Sequence, residues 1–220
     1  MTTLRKWSRR FAAAAALAGL AMAAATAPAR ATAILTVSDG TNAWTQTGDG
    51  SSPISIAAAD GSWTVLAGGA TKPFSGAWYN PDMHLGAIGW GIGKLTISFS
   101  DDGFWANGST DFLTGVGGYL GDHAGLTLDS WTTLGSLGSL GPFTASGAFS
   151  DSVMTAQTMS GTYGLTLSAN LTHLGPDISS FDAGVKEVPE PGTLALFGAG
   201  LLGCVFFLRR RRIGARTLAA

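Results

Sequence analysis

Residues that could carry catalysis occur in the chain, but not in the spacings that catalysis uses. No serine lies in a Gly-x-Ser-x-Gly sequence, and the phosphate-binding Gly-x-x-x-x-Gly-Lys-Ser/Thr pattern is absent. His84, His123 and His173 each lack a second histidine three or four residues away, the spacing that zinc-binding motifs commonly use. The one cysteine, Cys204, lies in an apolar run near the C-terminus. The sequence therefore predicts that the protein is not an enzyme and binds no catalytic metal. A secreted hydrolase is the least favoured alternative.

Acidic and amide side chains concentrate between residues 100 and 111, where calcium could bind. The potential ligands are Asp101, Asp102, Asn107, Ser109 and Asp111. Their spacing does not fit the EF-hand loop. A hairpin loop is the simpler interpretation, so we expect no cofactor and keep calcium as an alternative.

Several aromatic residues stand next to polar ones in a way that suits sugar binding. Trp78, Tyr79 and Asp82 follow one another closely, and Trp105 lies in the next acidic stretch. Aromatic rings can stack on sugars, while carboxylates accept hydrogen bonds from hydroxyl groups. By contrast, Trp63 and Trp131 stand in alternating runs and are predicted to be core or half-buried strand residues. A carbohydrate-binding module is therefore an alternative function.

Charge is distributed unevenly along the chain. The whole chain has a net charge of −1, but residues 34–187 contain three lysines, no arginine and thirteen carboxylates, a net charge of −10. Such a surface repels phosphate backbones, which argues against a nucleic-acid partner. Because Cys204 lies outside this region, residues 34–187 can form no internal disulfide.

The region 34–187 is long enough for one domain, and its pattern is that of β-strands. Apolar and polar residues alternate at 34–37, 54–57, 63–66, 95–99, 126–128, 143–149 and 163–171. Asp-Gly pairs at 39–40, 49–50, 60–61 and 102–103 predict tight turns, the first three at the spacing of a β-meander. The glycine-rich stretches 115–121 and 135–141 are predicted to be loops. The fold class expected is all-β, with a sandwich or jelly-roll-like body.

Segments at both ends predict export. Residues 1–10 are basic, residues 11–27 are apolar, and small-residue cleavage sites end at Ala31 and Ala33. This is the pattern of a secretory signal peptide over residues 1–33, ahead of the body at 34–187.

The C-terminal segment combines a proline-rich spacer, an apolar helix and a basic cluster. Pro189, Glu190 and Pro191 can neither continue a helix nor pair regularly in a sheet. The apolar run at 193–208 predicts one short transmembrane helix of roughly 24 Å, at about 1.5 Å per residue. The basic residues Arg209, Arg210, Arg211 and Arg212 stop transfer and remain in the cytoplasm, followed by a short tail at 213–220.

This order, over residues 188–212, resembles the PEP-CTERM sorting signal of Gram-negative bacteria. The resemblance implies an exosortase as the partner, which reads the Pro-Glu-Pro motif while the helix sits transiently in the inner membrane. It implies removal of the tail and a final location at the cell surface or outside the cell. The body is also similar to the β-rich bodies of such proteins, as in the sequences LTISFSDDG, GTYGLTLSANLTH and SSFDAGVKEVPEP. That similarity implies a fold class and an exported location, not an activity. The association with the sorting-signal family implies a structural or adhesive role in the exopolysaccharide or biofilm layer.

Overall fold

The computed structural model describes residues 32–50, 52–72, 81–188 and 199–202. The predicted signal peptide, Trp78 and Tyr79, the Pro-Glu-Pro motif and the arginine cluster lie outside these residues. Of the predicted transmembrane segment, only 199–202 is described, and it is helical. No helix within the described ranges is long and apolar enough to span a bilayer.

The prediction of an all-β protein is confirmed. Within the described residues the strands are β1 (Ala33–Ser38), β2 (Ala43–Gly48), β3 (Ile54–Ala59), β4 (Trp63–Lys72), β5 (Asp82–Leu120), β6 (Ala124–Thr132), β7 (Gly135–Phe143) and β8 (Gly147–Val188). Neighbouring strands are antiparallel, and hydrogen bonds join all eight into one continuous sheet.

The two long strands, β5 and β8, divide this sheet into two layers. Layer 1 contains, in order, β3, β4, 82–91 of β5, 177–188 of β8, 111–120 of β5 and 147–156 of β8. Layer 2 contains β2, β1, 93–101 of β5, 165–173 of β8, β6 and β7. The layers face each other, since Thr114 in layer 1 and Ser130 in layer 2 share a buried hydrogen bond of 2.9 Å.

Bends let β5 pass from one layer to the other. Its register against β8 shifts between Gly91 and Gly93 and again between Asp101 and Phe104. Gly93 and Gly103 have φ angles of +100° and +87°, a conformation that suits glycine at a bulge. Asp102-Gly103 therefore forms a bulge within a strand, where the sequence predicted a hairpin turn.

His173 links the first bend of β5 to the facing bend of β8, where residues 174–176 have no partner in the β5–β8 register. It is 1% exposed, and its Nδ1 lies 3.0 Å from the carbonyl oxygen of Gly91 while its Nε2 lies 2.9 Å from Oγ of Ser179. Because a carbonyl only accepts, Nδ1 must carry a proton and donate it to Gly91; when the ring is neutral, Nε2 accepts from the Ser179 hydroxyl. The imidazole ring also packs against Trp63, with ring centroids 4.8 Å apart.

The core lies between the two layers, where alternate residues of each strand point inward. The largest fully buried side chains are Trp63, Phe99, Phe112, Leu35, Met83, Leu85, Leu95, Ile97, Leu120, Leu126, Leu128 and Leu137. All buried apolar side chains of the described body lie between Ala33 and Val185. Residues 32–188 therefore contain a complete core of their own.

The predicted loops at 115–121 and 135–141 are wrong, because most of these residues belong to β5 and β7. The glycines serve close packing: a Cβ atom on Gly118 would lie 2.2 Å from the backbone oxygen of Ser180. The acidic stretch 100–111 is likewise strand, paired with 156–166 of β8 apart from the bulge.

Two further details of the strand pattern differ from prediction. The run 143–149 is interrupted, since β7 ends at Phe143 and β8 begins at Gly147. The meander is also broken: β1 pairs with β2 and β3 pairs with β4, but the two hairpins belong to different layers. Positive φ angles at Gly40, Gly50 and Gly61 confirm the predicted turns between these strands.

Candidate functional site

A shallow groove of about 300 Å³ crosses the outer face of layer 1. Its lining comes from three neighbouring segments of β5 and β8 and from 147–156 of β8. The lining residues are Asp82, His84, Leu113, Gly115, Ser152, Asp182, Ala183, Gly184 and Lys186.

Strand register explains why a groove forms at this place. His84 pairs with Gly184, and Gly115 pairs with both Gly184 and Ser152, so these four residues form one row across four strands. The two central members have no side chain, which leaves a trough between His84 and Ser152. A Cβ atom on Gly184 would lie 3.5 Å from Nδ1 of His84, so the imidazole ring leans over the trough.

Charged groups of both signs border the groove. His84 Nε2 lies 3.1 Å from Oδ1 of Asp82, and both side chains are a little under half exposed. Lys186 is the cross-strand neighbour of Asp82, and Asp182 borders the trough on its other side. Exposed pairs of this kind contribute only about 0–1 kcal/mol to stability. Their positions offer hydrogen-bond donors and acceptors to a polar ligand.

The groove does not assemble a serine–histidine–aspartate relay. Ser152 and His84 stand three strands apart, roughly 14 Å at about 4.8 Å per strand. A proton could not pass directly from the Ser152 hydroxyl to the imidazole over that distance.

The structure separates the residues that the sequence suggested for sugar binding. Asp82 lines the groove, whereas Trp105 lies at a distant part of β5 opposite Thr162 and is 38% exposed. Trp78 and Tyr79 lie outside the described residues. The sequence did not indicate His84 and Gly184 as residues of a binding site, because the sequence of one strand does not show which residues lie beside it on the neighbouring strand.

The acidic side chains of 100–111 point in different directions. Asp101 is buried, which raises the pKa of its carboxyl group above the ordinary value. Oδ1 of Asp102 accepts a hydrogen bond of 2.7 Å from the backbone N–H of Thr32. Among the described residues, no group of three or more histidine, cysteine or acidic side chains is placed to hold a metal ion.

The last strand runs directly into the Pro-Glu-Pro segment. β8 ends at Val188, which pairs with Asp111, and Glu187 donates its backbone N–H to the carbonyl oxygen of Pro81 at 3.0 Å. Tyr163 lies close to the Glu187 carboxylate, and burial together with that negative charge raises the pKa of the phenol. The residue after Val188 is Pro189, so the proline-rich segment follows the last described strand residue directly in the sequence.

Comparison with known proteins identifies this C-terminal segment. Residues 187–212 match the family model of the PEP-CTERM protein-sorting motif, which begins two residues before the sheet ends. No curated protein sequence shows significant similarity to the chain. The chain therefore carries a PEP-CTERM protein-sorting motif, which marks it as an exported protein targeted to an exosortase.

Proposed function

We propose that the protein is a non-enzymatic structural or adhesive component of the cell envelope or the extracellular exopolysaccharide or biofilm layer. The observation that carries the proposal is the sorting motif at 187–212, joined without a spacer to a completed β-sheet body. A compact acidic body on a removable tail suits delivery to the outside of the cell.

The proposed route has three steps. The signal peptide at 1–33 directs the chain across the inner membrane, and the apolar run at 193–208 holds it there. The cluster Arg209–Arg212 stays in the cytoplasm, because arginine crosses a bilayer at high cost. An exosortase then reads Pro189, Glu190 and Pro191 and removes the tail, and the body reaches the cell surface or the medium.

Two features of the body support a role without catalysis. Its acidic side chains are dispersed over the described strands, and the groove on layer 1 lacks a nucleophile within reach of its histidine. The sequence also lacks the serine and phosphate-loop patterns of common hydrolases.

The test is the intact mass of the exported protein in a host with an exosortase. Removal of the 29 residues after Pro191 lowers the mass by about 3 kDa, since the 220 residues weigh 22.4 kDa. Replacing Pro189-Glu190-Pro191 with three alanines should leave the tail in place and the protein in the membrane fraction. Pro176→Ala is the matched control, because Pro176 is exposed and lies within the body.

Either of two results would contradict the proposal. A mature wild-type protein that still carries Arg209–Arg212 would indicate a permanent anchor. Unchanged processing after deletion of the exosortase would show that another protease removes the tail.

Carbohydrate binding is a second candidate function, and the groove on layer 1 favours it. Asp82, which the sequence suggested, lies there beside His84, Lys186 and Asp182. In this alternative, Trp78 and Tyr79 precede Asp82 closely enough along the chain to extend the same site, while Trp105 would act elsewhere.

A further inference from the structure

The outer face of layer 1 carries a patch of large apolar side chains next to the groove. They are exposed by 46–55%: Leu66, Ile88, Trp90, Ile92, Tyr119 and Ile178. We call these six residues the aromatic patch. Each has at least one buried residue beside it along the chain, as expected when successive side chains of a strand point to opposite faces.

Strand register shows that the patch is contiguous. Ile88 is the cross-strand neighbour of Leu66 on one side and of Ser180 on the other, and Ser180 pairs with Tyr119. Trp90 pairs with Ile178 in the adjoining row. Two exposed aromatic residues thus lie on one face, with one strand between them.

The aromatic patch and the polar groove lie on the same segments of β5 and β8. Along 82–91, the outward residues pass from Asp82 and His84 at the groove to Ile88 and Trp90 in the patch. Along the neighbouring strand, Asp182 lies between Gly184 of the groove and Ser180, which pairs with Ile88 and Tyr119 of the patch. One face therefore offers stacking surfaces and hydrogen-bonding groups side by side.

We propose that this face binds a neutral polysaccharide. Trp90 and Tyr119 stack on the apolar faces of sugar rings, and Asp82, His84 and Asp182 form hydrogen bonds with hydroxyl groups. The proposal rests on the proposed function in one respect: export brings the body to such polymers.

The spacing of the two aromatic residues indicates a polymer. Trp90 and Tyr119 lie on two strands that have one other strand between them, and Trp90 is displaced by two residues along the strand direction. At about 4.8 Å per strand and 3.3 Å per residue, their backbone positions are roughly 12 Å apart. One sugar ring cannot contact both. A ligand that uses both side chains must contain several linked sugars.

Charge and area argue against other occupants. With a net charge of −10 over residues 34–187, the body repels nucleic acids, anionic lipids and a second copy of itself. Six half-exposed side chains of about 200 Å² each offer roughly 600 Å², below the ~800 Å² per partner of a stable protein interface. A neutral, hydroxyl-rich polysaccharide is not repelled by the negative charge, and it does not need the contact area of a stable protein interface.

The experiment uses residues 32–188, which contain a complete core. Native electrophoresis is run in gels containing hydroxyethylcellulose, dextran or the acidic polymer alginate. We expect retardation in at least one neutral gel, with about tenfold weaker affinity for Trp90→Ala and for Tyr119→Ala. Trp131→Ala is the matched control, because Trp131 is 38% exposed but lies on layer 2. Thermal melts confirm that each variant is folded.

Several results would overturn the proposal. These are no retardation in either neutral gel, equal retardation of Trp90→Ala and Trp131→Ala, or stronger retardation in alginate. Self-association or binding to phosphatidylcholine vesicles that Trp90→Ala abolishes would assign the patch to a second copy or to lipid. None of these outcomes affects the mass of the processed protein, so failure here is distinguishable from failure of the sorting proposal.

Discussion

Replacing His173 with phenylalanine tests whether the imidazole ties the bends of β5 and β8 together. Phenylalanine keeps a flat ring against Trp63 but removes both ring nitrogens. The Gly91 carbonyl then loses its donor, and the Ser179 hydroxyl loses its acceptor. Ser179 is only 2% exposed, so water cannot readily replace the lost partner.

The expected loss follows from these two unsatisfied groups. Leaving a buried polar group without a partner costs about 1–3 kcal/mol, so the two groups together should lower the free energy of unfolding of His173→Phe by about 2–6 kcal/mol. At roughly 2–4 °C per kcal/mol for a domain of this size, the Tm falls by about 4–24 °C. Removing the Ser179 hydroxyl as well should cost less than it does in the wild type, because the bond between Nε2 and that hydroxyl is already lost, while the Gly121 N–H loses its acceptor at Ser179 Oγ in both backgrounds.

Urea denaturation of residues 32–188 measures these changes, with His173→Phe, Ser179→Ala and the double variant forming a cycle. His123→Phe is the control, since His123 is exposed and should change stability by less than about 0.5 kcal/mol. The reasoning is refuted if His173→Phe costs under about 1 kcal/mol. It is also refuted if the losses of the single variants simply add.

Other predictions concern packing and acid stability. Gly69→Ala should cost about 1–3 kcal/mol in the same assay, because its Cβ atom would lie 2.4 Å from Cδ2 of Phe99. Gly68→Ala is the neighbouring control, with no atom nearer than 3.7 Å, and equal losses would contradict this account. Backbone N–H donors lower the pKa of Asp39 to about 2, so its stabilisation is present above pH 3.8 and lost as the pH falls towards 2. Asp39→Asn should therefore flatten the acid limb of the stability curve, and an unchanged limb would refute this. Burial raises the pKa of Asp101, so the folded state holds its proton more tightly, and stability falls as the pH rises through the folded pKa. Asp101→Asn should reduce that fall, measured as the change in Tm between pH 4 and pH 7.

The sequence predicted the strands well where alternation was regular. The run at 95–99 alternates strictly, and Leu95, Ile97 and Phe99 are indeed buried. Trp63 is 1% exposed, as its alternating run predicted. Local alternation is sufficient here because one face of each strand meets the core and the other does not.

Prediction failed where glycine was interpreted without its neighbours. Glycine favours turns in isolation, but Gly118 lies in a strand whose partner backbone leaves no room for a Cβ atom. Likewise, Gly115 and Gly184 create the groove only because the register places them side by side. Contacts between residues about 70 positions apart cannot be inferred from local sequence.

The same limit applied to Trp90 and Tyr119. Each stands beside glycine in the sequence. Next to glycine, the local sequence does not distinguish an aromatic residue in an exposed loop from one in a strand. Their common face depends on 177–188 of β8 lying between the two parts of β5. The sequence therefore directed attention to Trp78 and Trp105, which stand next to polar residues.

The junction between body and tail connects the fold to the sorting motif. The segment 180–188 is an inner strand of layer 1, paired with 111–119 along its whole length and with 82–88 as far as Lys186. Backbone held on both sides is inaccessible to a protease, because cleavage requires an extended segment free of other partners. Pro189 follows Val188 in the sequence and has no N–H to donate to a sheet. An enzyme that cuts at or after Pro189 leaves every strand pairing of the body intact. An enzyme that cuts before Lys186 must first unfold the centre of layer 1. The strand pairing of the described body therefore favours the proposed processing at the motif, because a cut there would require no unfolding of the body.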